Sequence, residues 1–139
     1  MKARNAQRGA RRREAAGRTL VFVYGTLLFG ECNHRHLTGA RLIGAATTRP
    51  AFRLYDLGPF PGLVAGGTDA ISGEVYAVDE ATLATLDRLE GHPRFYRRAS
   101  LVLADGAHVE TYLLTPEQVA GHPVIASGNW RARRNGSTP

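Results

Sequence analysis

Thr19-Leu20-Val21-Phe22-Val23-Tyr24, running into Gly25-Thr26-Leu27, is the stretch on which the fold turns. Its β-branched and aromatic side chains predict a buried strand. Gly25 ends that strand, because glycine lets the backbone turn tightly directly after a buried run. Downstream, residues 26–31 read as loop, and Asn33 reads as the cap of a short helix through Thr38. Residues 41–57 alternate loosely around Pro50, which predicts two short strands with a break between them. The run Gly58-Pro59-Phe60-Pro61-Gly62 reads as a shaped loop, because two prolines and two glycines oppose regular structure. Residues 71–78 predict another strand. Residues 79–90 predict the clearest helix, with Asp79 as N-cap, helix formers inside, and Gly91 followed by Pro93 as the stop. Residues 95–104 and 107–114 predict two strands joined by Asp105-Gly106, a strong hairpin signal. Residues 125–130 supply a last docked segment. The expected fold class is α+β: a small mixed, mostly antiparallel β-barrel or curled sheet with one or two flanking helices.

At 139 residues, 43% of them hydrophobic, the chain has room for one domain with a real core. Its net charge of +6 is concentrated at the two ends. Residues 1–18 carry seven basic side chains against Glu14 alone, and Arg131, Arg133 and Arg134 add three more. Between them, residues 19–130 hold eight arginines and eleven acids, so the globular part is mildly acidic. Nucleic-acid readers need cations on the folded surface, so nucleic acid is not expected as an obligate partner of the domain. The expected division is a disordered basic tail over residues 1–18, a domain over 19–130 and a flexible basic tail over 131–139. The arginine-rich start resembles the first part of a targeting peptide, without its apolar segment or cleavage site. The apolar stretch that opens at Leu20 is broken by Gly25 and Thr26, far short of a bilayer span, so no membrane association is expected. A single cysteine, Cys32, excludes an internal disulfide and fits a reducing, cytoplasmic setting.

Two local features point to chemistry. On a helix over residues 79–90, Leu83, Leu86 and Leu89 define an apolar face, and Glu90 falls roughly 40° from its centre, whereas Arg88 points roughly 160° away. A carboxylate on the core side in the last helical turn is penalised by burial and by the negative end of the helix dipole. Both raise its pKa, as a group exchanging protons near neutrality requires. The other reading is that Glu90 pairs with Arg97 or Arg98 and ties helix to strand. In the 24–27 turn, glycine after a buried strand exposes successive N–H groups that can hold an anion, and Tyr24 can line a pocket; the same composition also suits a purely structural turn. Cys32, His34 and His36 suggest a thiol amidase or a three-ligand metal site, yet spacings of two converge only in a loop. A loop thiol beside two surface histidines is the alternative.

Together these residues are similar to a known family. Val21-Phe22-Val23-Tyr24-Gly25-Thr26-Leu27, then Gly30, Asn33 and Leu37, resembles the opening of the γ-glutamylcyclotransferase-like family, with the closest likeness to γ-glutamylamine cyclotransferases. Gly73-Glu74-Val75-Tyr76-Ala77-Val78, then Leu86-Asp87-Arg88-Leu89-Glu90-Gly91-His92-Pro93 and Phe95-Tyr96-Arg97-Arg98, resembles its second signature. The likeness implies a compact mixed barrel with a pocket at one end and neither metal nor coenzyme. It implies that Tyr24, Gly25, Thr26 and Leu27 bind a small γ-glutamyl substrate and that Glu90 is the essential carboxylate, acting as general base and then acid. The expected product is 5-oxoproline with a free amine or amino acid. The Gly58–Gly62 loop and Tyr96 are further candidates for the pocket wall, or else a tight connector and a core aromatic. The alternatives are a non-catalytic binding protein of the same fold, or an anion- or nucleic-acid-binding protein acting through its arginine-rich tails.

Overall fold

The computed structural model describes residues 17–133. β1 (Thr19–Val23) is the centre of the fold: it pairs antiparallel with β5 (Ser72–Val78) on one side and parallel with β7 (His108–Leu113) on the other. β2 (Arg41–Thr47) extends the sheet beyond β5, and β6 (Arg97–Val102) extends it beyond β7, giving the order β2-β5-β1-β7-β6. β3 (Phe52–Asp56) and β4 (Pro61–Ala65) form a separate antiparallel hairpin. The expected α+β class holds, with a mostly antiparallel, curled sheet. Its ladder does not close into a barrel among the described residues. The two edges meet only at a single bridge, Thr48 to Leu103, beyond the ends of β2 and β6.

β1 is buried because it is flanked on both sides: Val21 and Phe22 are 0% and 1% exposed. Such side chains each contribute about 1.5–3 kcal/mol of transfer free energy. The helix α1 (Glu80–Glu90) starts where expected, with Asp79 accepting from the Thr82 N–H at 2.8 Å, and ends at Gly91 with φ 68°. A left-handed residue in that place suits glycine alone among common choices. Leu86 of α1 is fully buried.

Several expectations are corrected. Pro61 and Gly62 belong to β4 rather than to a loop; Pro61 takes the first position of the strand, where a missing N–H is tolerated, and the connection is cut to residues 57–60. Asn33 precedes a 3-10 turn (His34–Leu37) but makes no side-chain cap; its amide is used elsewhere, as described below. A short helix α2 (Pro116–Val119), opened by a Thr115/Gln118 capping box, was not anticipated. A 3-10 turn runs over Trp130–Ala132, with Trp130 1% exposed and the Arg133 guanidinium 3.5 Å from its ring centroid. The remaining tail positions, 1–16 and 134–139, lie outside the described residues. No helix among the described residues is long and apolar enough to cross a membrane.

Candidate active site

The strand β1 delivers the 24–27 turn to the wall of a cleft of about 290 Å³, counted out to its open mouth. That turn is fixed through its carbonyls. Gly25 O accepts from Leu28 N–H at 3.0 Å, Thr26 O from Asn33 N–H at 2.9 Å, and His34 Nδ1 lies 2.9 Å from Leu27 O. The Asn33 side chain also donates to Thr26 Oγ1 at 3.0 Å. Among the described residues, no hydrogen bond is drawn from the N–H groups of Gly25, Thr26 and Leu27. With the carbonyls tied, these three consecutive donors are unengaged by the protein among the described residues. Gly25 is required by close approach: a Cβ there would overlap the ring of Pro61.

Glu90 lines the same cleft, together with Tyr96, Pro61, Tyr112, Phe22 and Val23. The helix presents it more squarely than its leucine pattern suggested. Leu89 is 37% exposed, so the buried side of α1 runs along Leu83, Leu86 and Glu90 rather than through Leu89. Glu90 does not pair with Arg98. That guanidinium is held by Asp87 at 3.0 Å and Glu110 at 3.1 Å instead. Left without an ion pair among the described residues, the Glu90 carboxyl is pushed up by burial to about 7.

Three tyrosines surround this carboxyl, and each directs its proton elsewhere. Tyr24 donates to Tyr112 O at 2.6 Å, Tyr96 to Pro61 O at 2.5 Å, and Tyr112 to Asp87 Oδ1 at 2.7 Å. Burial, first, and in each case also the Glu90 charge push all three phenols above their ordinary range. They are therefore neutral at any physiological pH, and their hydroxyl protons are already engaged. Glu90 is the group in the cleft whose proton is exchangeable near neutrality.

All six anticipated residues, Tyr24, Gly25, Thr26, Leu27, Glu90 and Tyr96, thus line one cleft. Tyr112 was missed. No local pattern marks it; only the parallel pairing of β7 with β1, Val21 opposite Glu110, brings it beside Tyr24. Cys32 is exposed, and the His34 ring packs against Phe29 and Tyr76 at 5.3 and 5.6 Å. Among the described residues, no group of three or more His, Cys, Asp and Glu side chains is arranged to hold a metal ion.

The family described as "Gamma-glutamyl cyclotransferase, AIG2-like" matches residues 21–132. A Vibrio cholerae protein named "Putative gamma-glutamylcyclotransferase" is 46% identical over 119 residues, covering 82% of this chain and 96% of the relative. The solution structure of YtfP from Escherichia coli shares 35% identity with a TM-score of 0.66, over 84% of this chain and 99% of that one. The crystal structure of a mouse AIG2-like protein shares 29% identity with a TM-score of 0.69, over 77% and 85% of the two chains. Cleft, turn and sequence match converge: the chain belongs to the γ-glutamylcyclotransferase, AIG2-like family.

Proposed function

We propose that the protein is a γ-glutamylcyclotransferase that releases 5-oxoproline and a free amine from a small γ-glutamyl compound, with Glu90 as base and then acid. One observation carries this reading: a carboxyl raised to about 7 shares a small cleft with three unused backbone donors. The N–H groups of Gly25, Thr26 and Leu27 hold the substrate's α-carboxylate. That leaves the neighbouring α-amine and the γ-carbonyl folded toward each other on the Glu90 side. The amine nitrogen attacks the γ-carbonyl carbon and closes a five-membered lactam, so the protein needs no nucleophile of its own. Holding the two groups in an attacking geometry is worth about 7–11 kcal/mol.

Proton traffic decides the choice of base. An α-amine has a reference pKa of about 8, so it is largely ammonium at neutral pH. A carboxylate at 4.5 would lie roughly 3.5 units below it, a transfer costing about 5 kcal/mol; at about 7 the gap shrinks to roughly 1.4 kcal/mol. Glu90 takes one proton from the α-ammonium, which frees the lone pair that attacks the γ-carbonyl carbon. Once the C–N bond has formed the nitrogen sheds a second proton, so two protons pass in all to the leaving nitrogen, which departs as an ammonium. The tetrahedral intermediate collapses, the bond to the leaving nitrogen breaks, and Glu90 returns a proton to that nitrogen. The engaged phenols shape the cleft and take no part in the transfer.

The test is incubation with a panel of γ-glutamyl compounds: γ-glutamyl amino acids, a γ-glutamyl-ε-lysine isopeptide and γ-glutamylated small amines, with 5-oxoproline as the readout. Glu90→Gln is expected to fold and to lose at least about 100-fold in rate. Near wild-type turnover in that variant removes Glu90 from the mechanism. Binding of panel members without any release of 5-oxoproline returns the chain to a binding protein of the same fold.

A further inference from the structure

Phe29 lies just beyond the substrate turn, and both of its backbone groups are held from outside the loop. Its N–H donates to Glu74 Oε1 on β5 at 2.9 Å, and its carbonyl accepts from the Arg131 guanidinium. The same guanidinium reaches Glu74 Oε2 at 3.4 Å, so Arg131, Glu74 and Phe29 close a ring of three contacts. Next to it, Glu31 Oε1 accepts from the Trp130 indole at 3.0 Å. Trp130 is anchored in the core. The last turn of the described chain therefore grips the exit of the 24–27 turn at two points, across about a hundred residues of sequence.

Stability alone is a poor account of the Arg131 contact. The Arg131 side chain is 43% exposed, and exposed ion pairs contribute little to folding. Direction is what it fixes. The Gly25 carbonyl is tied to the N–H of Leu28, in the Leu27–Leu28 peptide. The next peptide, Leu28–Phe29, carries the N–H held by Glu74, so only the Leu28 dihedrals separate the clamped peptide from the turn that carries the Gly25, Thr26 and Leu27 donors. Burial of Glu74, 15% exposed at its side chain, keeps the other half of the ring in place, and Tyr76 OH adds a bond to Glu74 Oε1 at 3.1 Å.

We propose that Arg131, acting through Glu74 and the Phe29 peptide, is a positioning residue that keeps the N–H groups of the 24–27 turn aimed into the cleft. This rests on the reading of that turn as the anchor for the substrate's carboxylate.

The test uses the full chain with Arg131→Ala, Arg131→Lys and Glu74→Gln. For a γ-glutamyl compound of the panel that the wild type turns over, kcat and KM are measured, together with the thermal midpoint. The amide 1H–15N shifts of Gly25, Thr26 and Leu27 are recorded on the same samples. Arg131→Ala raises KM about three- to ten-fold while kcat stays within about two-fold, as expected when ground-state and transition-state anchoring weaken together. The three turn amides shift. Lysine restores part of the loss, since one ammonium reaches the Phe29 carbonyl without forking onto Glu74. Glu74→Gln keeps an acceptor for the Phe29 N–H and gives a smaller rise in KM. Unmoved turn amides in Arg131→Ala overturn the proposal, as does a fall in kcat that tracks loss of folded protein. The amide shifts need no turnover. A wild type that releases no 5-oxoproline therefore removes the cyclase reading, while the clamp is still judged on the turn resonances.

Discussion

Replacing Glu90 by glutamine should make the protein more stable in alkali while stopping the reaction, and the size of that gain follows from the cleft. In the unfolded chain Glu90 titrates near 4.5; in the folded chain, burial moves it to about 7. Between those values the folded state holds a proton that the unfolded state has lost, so stability falls as pH rises. The penalty is absent below about 4.5 and complete above about 7. The move from 4.5 to about 7, at about 1.4 kcal/mol per tenfold in proton affinity, amounts to roughly 3–3.5 kcal/mol. Glutamine has no charge to bury, so its stability lacks this slope. The assay is urea unfolding of both proteins at half-unit steps from pH 4 to pH 8.5. The free-energy difference, variant minus wild type, should climb by about 3 kcal/mol across that range, equivalent near neutrality to roughly 10 °C in midpoint. Taking the difference cancels every other titrating group. A flat difference would show that Glu90 titrates as an ordinary surface carboxyl, and the case for it as the base would fall with that result.

Three further outcomes are expected. With wild-type protein, kcat/KM should fall as pH drops through about 7, because only the ionised Glu90 can accept the amine proton; a profile flat from pH 5 to 8 contradicts this. Gly25→Ala should cost about 100-fold in kcat/KM, since the added methyl collides with the Pro61 ring and displaces the anchoring turn; an undiminished rate in a folded variant would show that the turn does not hold substrate. Complete alkylation of Cys32, verified by mass spectrometry, should leave turnover unchanged, because the thiol is exposed and does not line the cleft.

What was legible from sequence followed local rules. The β1 strand announces itself through an unbroken run of β-branched and aromatic residues, and α1 through Asp79 and Gly91, whose capping chemistry needs no knowledge of the rest of the fold. β4 was concealed because Pro61 and Gly62 read as breakers. Their places are set by a tertiary demand: Gly62 lies where any side chain would strike Leu114. Glu90 was found because a charge on an apolar helical face is anomalous within eleven residues. The face itself was set one position off, because Leu89 is left partly in solvent while Glu90 turns inward. Tyr112 and Arg131 carry no local mark at all. Their roles exist only through pairing with segments some ninety to a hundred residues earlier, which periodicity cannot reveal.

The parallel seam between β1 and β7 has a consequence for how the protein comes into being. Among the described residues, the first strand is completed by the last one, and the loop that follows it is gripped by the turn at Trp130–Ala132. A chain growing from its N-terminus therefore carries Tyr24, Gly25, Thr26 and Leu27 through most of its synthesis with no cleft around them. The 24–27 turn meets its full set of neighbours only once the segment from β7 to Arg131 has been made and has folded back onto β1.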